Sequence, residues 1–112
     1  MKKIKEEKNY LDMCPRHSFL IKWSEENGKV TLEIENTGFF NRLAQKFFNK
    51  PAVSYVHLDD LGSFIWPLID GKKDIFTLGT YVKERFGNDA EPLYERLSKF
   101  FQILESYNFV TF

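Results

Sequence analysis

Hydrophobic and polar positions along the chain change period several times, and each change marks an element. Residues 1–9 carry Lys2, Lys3, Lys5 and Lys8 with Glu6 and Glu7 and almost nothing apolar, which predicts a solvated arm. From Phe19 the run FLIKW is apolar and aromatic, SEENG is polar with Gly28 available for a turn, and KVTLEIEN alternates Val30, Leu32 and Ile34 with Thr31, Glu33 and Glu35. Side-chain direction repeats every two residues in a strand, so this pattern predicts an antiparallel hairpin with one buried and one wet face. In FFNRLAQKFFNK, Phe40, Leu43, Ala44 and Phe47 fall at helical spacing, with Arg42, Gln45, Lys46 and Lys50 off the stripe. That predicts a short amphipathic helix over 38–50, ended by Pro51. AVSYVHL then reads as a third strand, with Ser54, Val56 and Leu58 on one face and Val53, Tyr55 and His57 on the other.

The remainder is helical. Asp59 or Asp60 can cap a helix carrying Leu61, Phe64, Ile65, Leu68 and Ile69, kinked at Pro67 and stopped by Asp70-Gly71. Thr77 is the expected cap of a second helix closed by Gly87, with Phe76 and Tyr81 spaced as a hydrophobic staple. Asp89 or Glu91 opens a third, longer helix with Pro92 in its first turn and a core stripe of Leu93, Leu97, Phe100, Leu104 and Tyr107, which Asn108 ends. The fold class expected is α+β and winged-helix-like: a small antiparallel three-stranded sheet, then a three-helix unit, with the extra short helix between strands two and three. The organisation expected is an arm over 1–16 and one domain over 17–112.

Composition narrows the function. Lys and Arg number 16 against 16 Asp and Glu, a formal net charge of zero, which removes the long-range pull toward phosphate that nucleic-acid binders show. The last helix would be the recognition helix of a winged-helix DNA binder, yet Arg96 and Lys99 are offset there by Glu91, Glu95 and Glu105. A lone Cys14 forms no internal disulfide and fits a reducing compartment. The charged start lacks the apolar stretch of a signal peptide, and no later run reaches membrane-spanning length, so a cytoplasmic protein without a membrane partner is expected. The 12 Phe, 5 Tyr and 2 Trp exceed what a small core needs and point to a binding surface. Trp23, Trp66, Phe40 and Phe47 are read as core.

Catalysis and metal binding find little support. His57 beside Asp59 and Asp60 has no accompanying nucleophile, and strand and cap positions explain the three. Cys14 and His17 lack two further ligands at sensible spacing. No catalytic residue, metal or cofactor is expected. Arg42, Lys46 and Lys50 share a helical face that suits solvent as well as an acidic partner.

The run LDDLGSFIWPLIDGKKDIFTLGTYVKERFG, followed by EPLYERLSKFFQILESYNFVTF, resembles the PqqD family, named for pyrroloquinoline quinone biosynthesis. Leu58-Asp59, the Ile65-Trp66 pair, the Ile69-Asp70-Gly71 turn, the helix start at Thr77 and the terminal leucine-bearing helix carry the resemblance, which covers roughly residues 17–112. The helix at 38–50 departs from the family's shorter connection. The resemblance implies a peptide chaperone of the RiPP recognition element class, which binds the leader of a ribosomally made precursor and delivers it to a modifying enzyme, often a radical SAM protein.

Strand physics points the same way. An edge strand has unpaired backbone donors and acceptors that an extended peptide can satisfy by adding itself as a strand. The expected docking site is Val53, Ser54, Tyr55, Val56 and His57, with Tyr94, Leu97 and Phe101 of the last helix as the second wall. For Tyr94 and Phe101, groove and plain packing are both open readings. A free edge also allows a homodimer. A winged-helix DNA-binding regulator is the alternative function.

Overall fold

The computed structural model describes residues 10–35 and 53–112. The arm expected over 1–9 and the helix expected over 38–50, with Phe40, Phe47 and the Arg42–Lys46–Lys50 face, lie outside the described residues. In chain order the elements are β1 (Arg16–His17), β2 (Lys22–Glu26), β3 (Lys29–Glu35), β4 (Val53–His57), α1 (Asp60–Ile65), α2 (Ile75–Phe86), α3 (Leu93–Ser106) and β5 (Val110–Thr111). Short 3-10 turns lie at Tyr10–Asp12, Trp66–Leu68 and Gly87–Ala90. The chain is α+β, with a three-stranded antiparallel sheet and helices, the class expected. It divides into two units, residues 19–63 and residues 64–112 with 1–18.

The first unit holds an antiparallel sheet in the order β2-β3-β4. Asn27 and Gly28 both have positive φ, 54° and 78°. Two such residues form the type I′ loop whose twist matches the flanking strands, so the hairpin closes on Glu26 and Lys29. Val30 and Leu32 of β3 are fully buried as expected, whereas Ile34, expected on the same buried face, and Thr31 and Glu33, expected on the wet one, are all half-buried. Phe19 and Leu20, expected in the first strand, lie in a turn ahead of it and are 93% and 69% exposed. The ladder begins only at Lys22 opposite Glu33. Trp23, expected in the core, is 39% exposed, because on an edge strand a side chain has a neighbouring strand on one side only.

Past β4 the chain leaves the sheet. Leu58 N–H donates to the Val30 carbonyl at 2.9 Å. Val30 N–H, facing the same way, meets no further strand residue and donates to the Ser63 hydroxyl at 2.8 Å. That hydroxyl donates in turn to the Leu58 carbonyl at 3.2 Å. Asp59 caps α1 by accepting from Gly62 N–H at 2.8 Å, and Asp60 forms an ion pair with Lys29.

In the second unit the expected single kinked helix is an α-helix to Ile65, followed by a 3-10 turn through Pro67 and extended backbone at Ile69. Proline lacks the amide hydrogen that the next α-turn needs, and its ring crowds the carbonyl four residues back. Asp70 closes the following turn, accepting from Lys72 and Lys73 N–H at 2.8 and 3.0 Å and from Lys73 Nζ at 2.7 Å. These bonds hold its carboxyl far below the usual range, the lysine side chain contributing most.

Helix α2 is capped by Asp74, not by Thr77. The Asp74 carboxylate accepts from Thr77 N–H at 2.8 Å, which places Thr77 inside the first turn. With the cap earlier than expected, Phe76 does not staple to Tyr81. Its ring stacks on Tyr94 instead, at 5.5 Å and 7°. Gly87 ends the helix with φ 59°. On α3 the buried stripe is Leu93, Leu97, Phe101 and Leu104. Phe100 is half-buried and Tyr107 is 65% exposed, so the stripe is rotated from the one expected. Asn108, at φ 63°, ends the helix as expected.

The N-terminal segment is tied into this unit. Residues 10–16, expected to belong to an arm, run into β1, which pairs antiparallel with β5 in a two-stranded sheet that the hydropathy pattern does not reveal. Ile75 N–H donates to the Met13 carbonyl at 3.0 Å and Gly71 N–H to the Pro15 carbonyl at 2.9 Å. His17 stacks on Trp66 at 4.0 Å with Nε2 2.8 Å from the Trp66 carbonyl oxygen. Burial favours the neutral imidazole and lowers the His17 pKa, an effect the carbonyl contact partly opposes.

Three outcomes follow. Ser63→Ala leaves the buried Val30 N–H without its acceptor and should cost about 1–3 kcal/mol in a urea titration. A Cβ at Gly79 would stand 2.6 Å from Tyr94 Cε1 and 2.9 Å from Leu97 Cδ1. Gly79→Ala should therefore destabilise by about 1–3 kcal/mol even though alanine is the better helix former by roughly 1 kcal/mol, and adding Tyr94→Ala should recover part of the loss in a double-mutant cycle. Because the unfolded His17 takes up its proton before the folded one, its contribution is present above pH of about 6.5 and lost as the pH falls through the folded pKa. His17→Phe, which keeps a ring against Trp66, should lose less stability between pH 7.5 and 5 than the parent chain in thermal denaturation.

Candidate functional site

The bonds at the end of β4 settle which way its backbone faces. Val30 directs both its N–H and its C=O toward the β4 side, to Ser63 and Leu58. Backbone groups in a strand alternate between its two edges, so Leu32 and Ile34 also face β4, opposite Val56 and Ser54. The hairpin agrees: Lys29, Thr31 and Glu33 face β2, opposite Glu26, Ser24 and Lys22. On β4, Ser54 and Val56 are therefore the residues bonded into the sheet. Val53, Tyr55 and His57 turn their N–H and C=O groups to the outer edge, where no strand pairs among the described residues.

The two edges of the sheet differ in chemistry. Lys22, Glu25 and Glu26 give β2 charges of both signs, a common protection against further strand pairing. β4 reads VSYVH and carries no carboxylate, ammonium or guanidinium group. Tyr55 is 61% exposed, while Val53, Ser54 and Val56 are half-buried. The exposed His57 contacts Thr31 Oγ1 through Nδ1 at 3.0 Å. With Asp59 spent on the helix cap and Asp60 on Lys29, the three residues do not converge on a common point of chemistry.

The helix residues expected to complete the site separate by burial. Tyr94 is half-buried, its ring against Phe76, and its phenol pKa is raised by burial and by the nearby Glu91 and Asp74 carboxylates. Leu97 and Phe101 have no accessible surface and belong to the core stripe of α3. The apolar side chains that α3 does expose are Ile103 and, just beyond its end, Tyr107. The hydropathy pattern signals them only as apolar residues four apart, a spacing that core residues share. Ser63 was also missed, since nothing in the sequence distinguishes a buried serine from one on a wet helix face. The exposed face of α3 carries a shallow depression lined by Glu95, Arg96 and Lys99, where a carboxylate lies beside the two cations.

Cys14 donates its thiol hydrogen to the Lys72 carbonyl at 3.5 Å, and His17 Nε2 lies against the Trp66 carbonyl. Among the described residues no group of three His, Cys, Asp or Glu could hold a metal ion. No helix among them is long and apolar enough to cross a membrane. What β4 can do is accept an extended chain: three outward residues at two-residue spacing offer donors and acceptors for an added strand.

No curated protein and no solved structure matches the chain. Residues 30–110, which include β4, the Ser63 junction and helices α1, α2 and α3, match the family profile of coenzyme PQQ synthesis protein D (PqqD). The chain thus belongs to the PqqD family, whose members are non-catalytic accessory proteins.

Proposed function

We propose that the chain is a peptide-binding chaperone. It recognises the leader of a ribosomally synthesised precursor by strand addition along the outer edge of β4, and it presents that peptide to a separate modifying enzyme, such as a radical SAM protein, in the cytoplasm. The chain itself performs no chemistry. The single observation that carries the reading is the outer edge formed by Val53, Tyr55 and His57, on a strand with no acidic, lysine or arginine residue, opposed to a charged edge on β2. Family membership supports the assignment to peptide modification, of which coenzyme PQQ synthesis is the case in the family's name.

Ser54 and Val56 hold β4 in the sheet, and the three outward residues supply the hydrogen bonds to the ligand. Among Tyr94, Leu97 and Phe101, only Tyr94 keeps accessible surface, and Leu97 and Phe101 act by keeping α3 packed. Side chains of the peptide at alternate positions would lie on the face of Val56 and on the face of Tyr55, which gives selectivity without a charged contact.

Proline scanning tests this reading. Val53→Pro and Tyr55→Pro remove outward donors and should leave the fold intact by circular dichroism while weakening leader binding at least about tenfold, the loss of roughly one well-made hydrogen bond or more. Ser54→Pro and Val56→Pro remove bonds of the sheet itself and should unfold at lower urea. The ligands are labelled synthetic leaders of the short precursors encoded beside the gene. Binding should change little between 50 and 200 mM salt, whereas binding governed by phosphate contacts would fall by about 10³–10⁵. Unchanged affinity in folded Val53→Pro and Tyr55→Pro, or steeply salt-dependent affinity for duplex DNA with none for leaders, would overturn it.

A further inference from the structure

We infer that, without a peptide ligand, the outer edge of β4 is occupied by the same edge of a second copy, in an antiparallel pair centred on Tyr55. This rests on the reading of β4 as a peptide-accepting edge and adds a form of regulation to it: self-pairing and ligand binding use the same backbone groups, so each excludes the other.

Self-complementarity is the first argument. The outward residues are Val53, Tyr55 and His57, placed symmetrically about Tyr55 in a strand of five residues. A two-fold axis through Tyr55 sets Tyr55 opposite Tyr55 of the second copy and Val53 opposite His57. Every outward residue then meets another outward residue, and the bonded pairs of an antiparallel ladder form without a register shift.

Electrostatics is the second. No formal negative charge lies on β4, and its neighbour in the sheet beside Tyr55 is Glu33. In the pair, the two Glu33 residues stand three strand spacings apart, roughly 14 Å, beyond the Debye length of about 8 Å at physiological salt. β2, by contrast, carries three formal charges in five residues, Lys22, Glu25 and Glu26, which a second strand added there would have to desolvate. The two Tyr55 rings share one face across the pair, a cross-strand arrangement that aromatic side chains favour.

Size is the third. Five residues a side is well short of the roughly 20–30 residues that a stable interface engages, so the dimer is weak and a matching leader displaces it.

Disulfide trapping reads the register directly. In a Cys14→Ser background, Tyr55→Cys should cross-link to itself under oxidised glutathione, since directly opposed bonded residues have Cα atoms about 5.5 Å apart, within disulfide reach. Val53→Cys alone and His57→Cys alone should not, because each lies four residues, roughly 14 Å, from its own copy, whereas a mixture of the two should cross-link. In the chain without these cysteines, sedimentation equilibrium from about 10 µM to 1 mM should show dimer at the upper end, reduced at least tenfold by Tyr55→Pro and unaffected by Glu25→Pro on the other edge. Monomer at every concentration, dimer that persists in folded Tyr55→Pro, or equal trapping at 53 and 55 overturns the inference. If trapping fails while Tyr55→Pro still abolishes leader binding, the dimer alone falls; if Tyr55 cross-links while leaders bind Tyr55→Pro normally, the peptide site lies elsewhere and mutual exclusion is refuted with it.

Discussion

The bond from Val30 N–H to the Ser63 hydroxyl decides where the sheet ends and which way its last strand faces. A buried amide left unpaired would cost roughly 1–3 kcal/mol, about twice what a typical hydrogen bond contributes net. β4 pairs through Leu58 and then departs into α1, so the next donor of β3 has no strand to meet. A side chain from the departing helix takes that place, and it also returns a bond to the strand it came from. The ladder is thereby pinned at its exit. The parity of every residue back to Val53 follows, including the outward set, beside which no strand pairs among the described residues.

A site of this kind asks little of side-chain chemistry. Its donors and acceptors belong to the main chain and exist in any strand, so the selective elements are position and the absence of protection. Asp59, Asp60 and His57 illustrate the point: a cluster that resembles acid-base machinery in sequence is distributed among a helix cap, an ion pair with Lys29 and a contact to Thr31. Nothing in these roles requires proton transfer, and nothing in strand addition does either.

Much of this was legible in the residues. The alternation of β3, the turn at Gly28, the third strand and the stop at Asn108 follow from period and turn chemistry, which are local. What was not legible depended on partners distant in sequence. Asp74 and Thr77 are both good caps, and only the packing of α2 chooses between them. Phe101 and Phe100 are adjacent at the margin of one helical stripe, and only the packing of α3, which brings Leu97 and Tyr94 close to Gly79, separates the buried ring from the half-buried one. The pairing of Arg16–His17 with Val110–Thr111 joins two short segments from opposite ends of the chain, too brief to show alternation.

The unequal edges of the three-stranded sheet have a consequence for how far assembly can proceed. A sheet whose two edges were both uncharged could add copies head to tail on either side and grow without limit, as cross-β fibres do. Here Lys22, Glu25 and Glu26 close one side. Any strand added at β4 leaves β2 as the outer boundary on its own side, so, on the proposed reading, an edge that accepts a peptide coexists with resistance to filament growth.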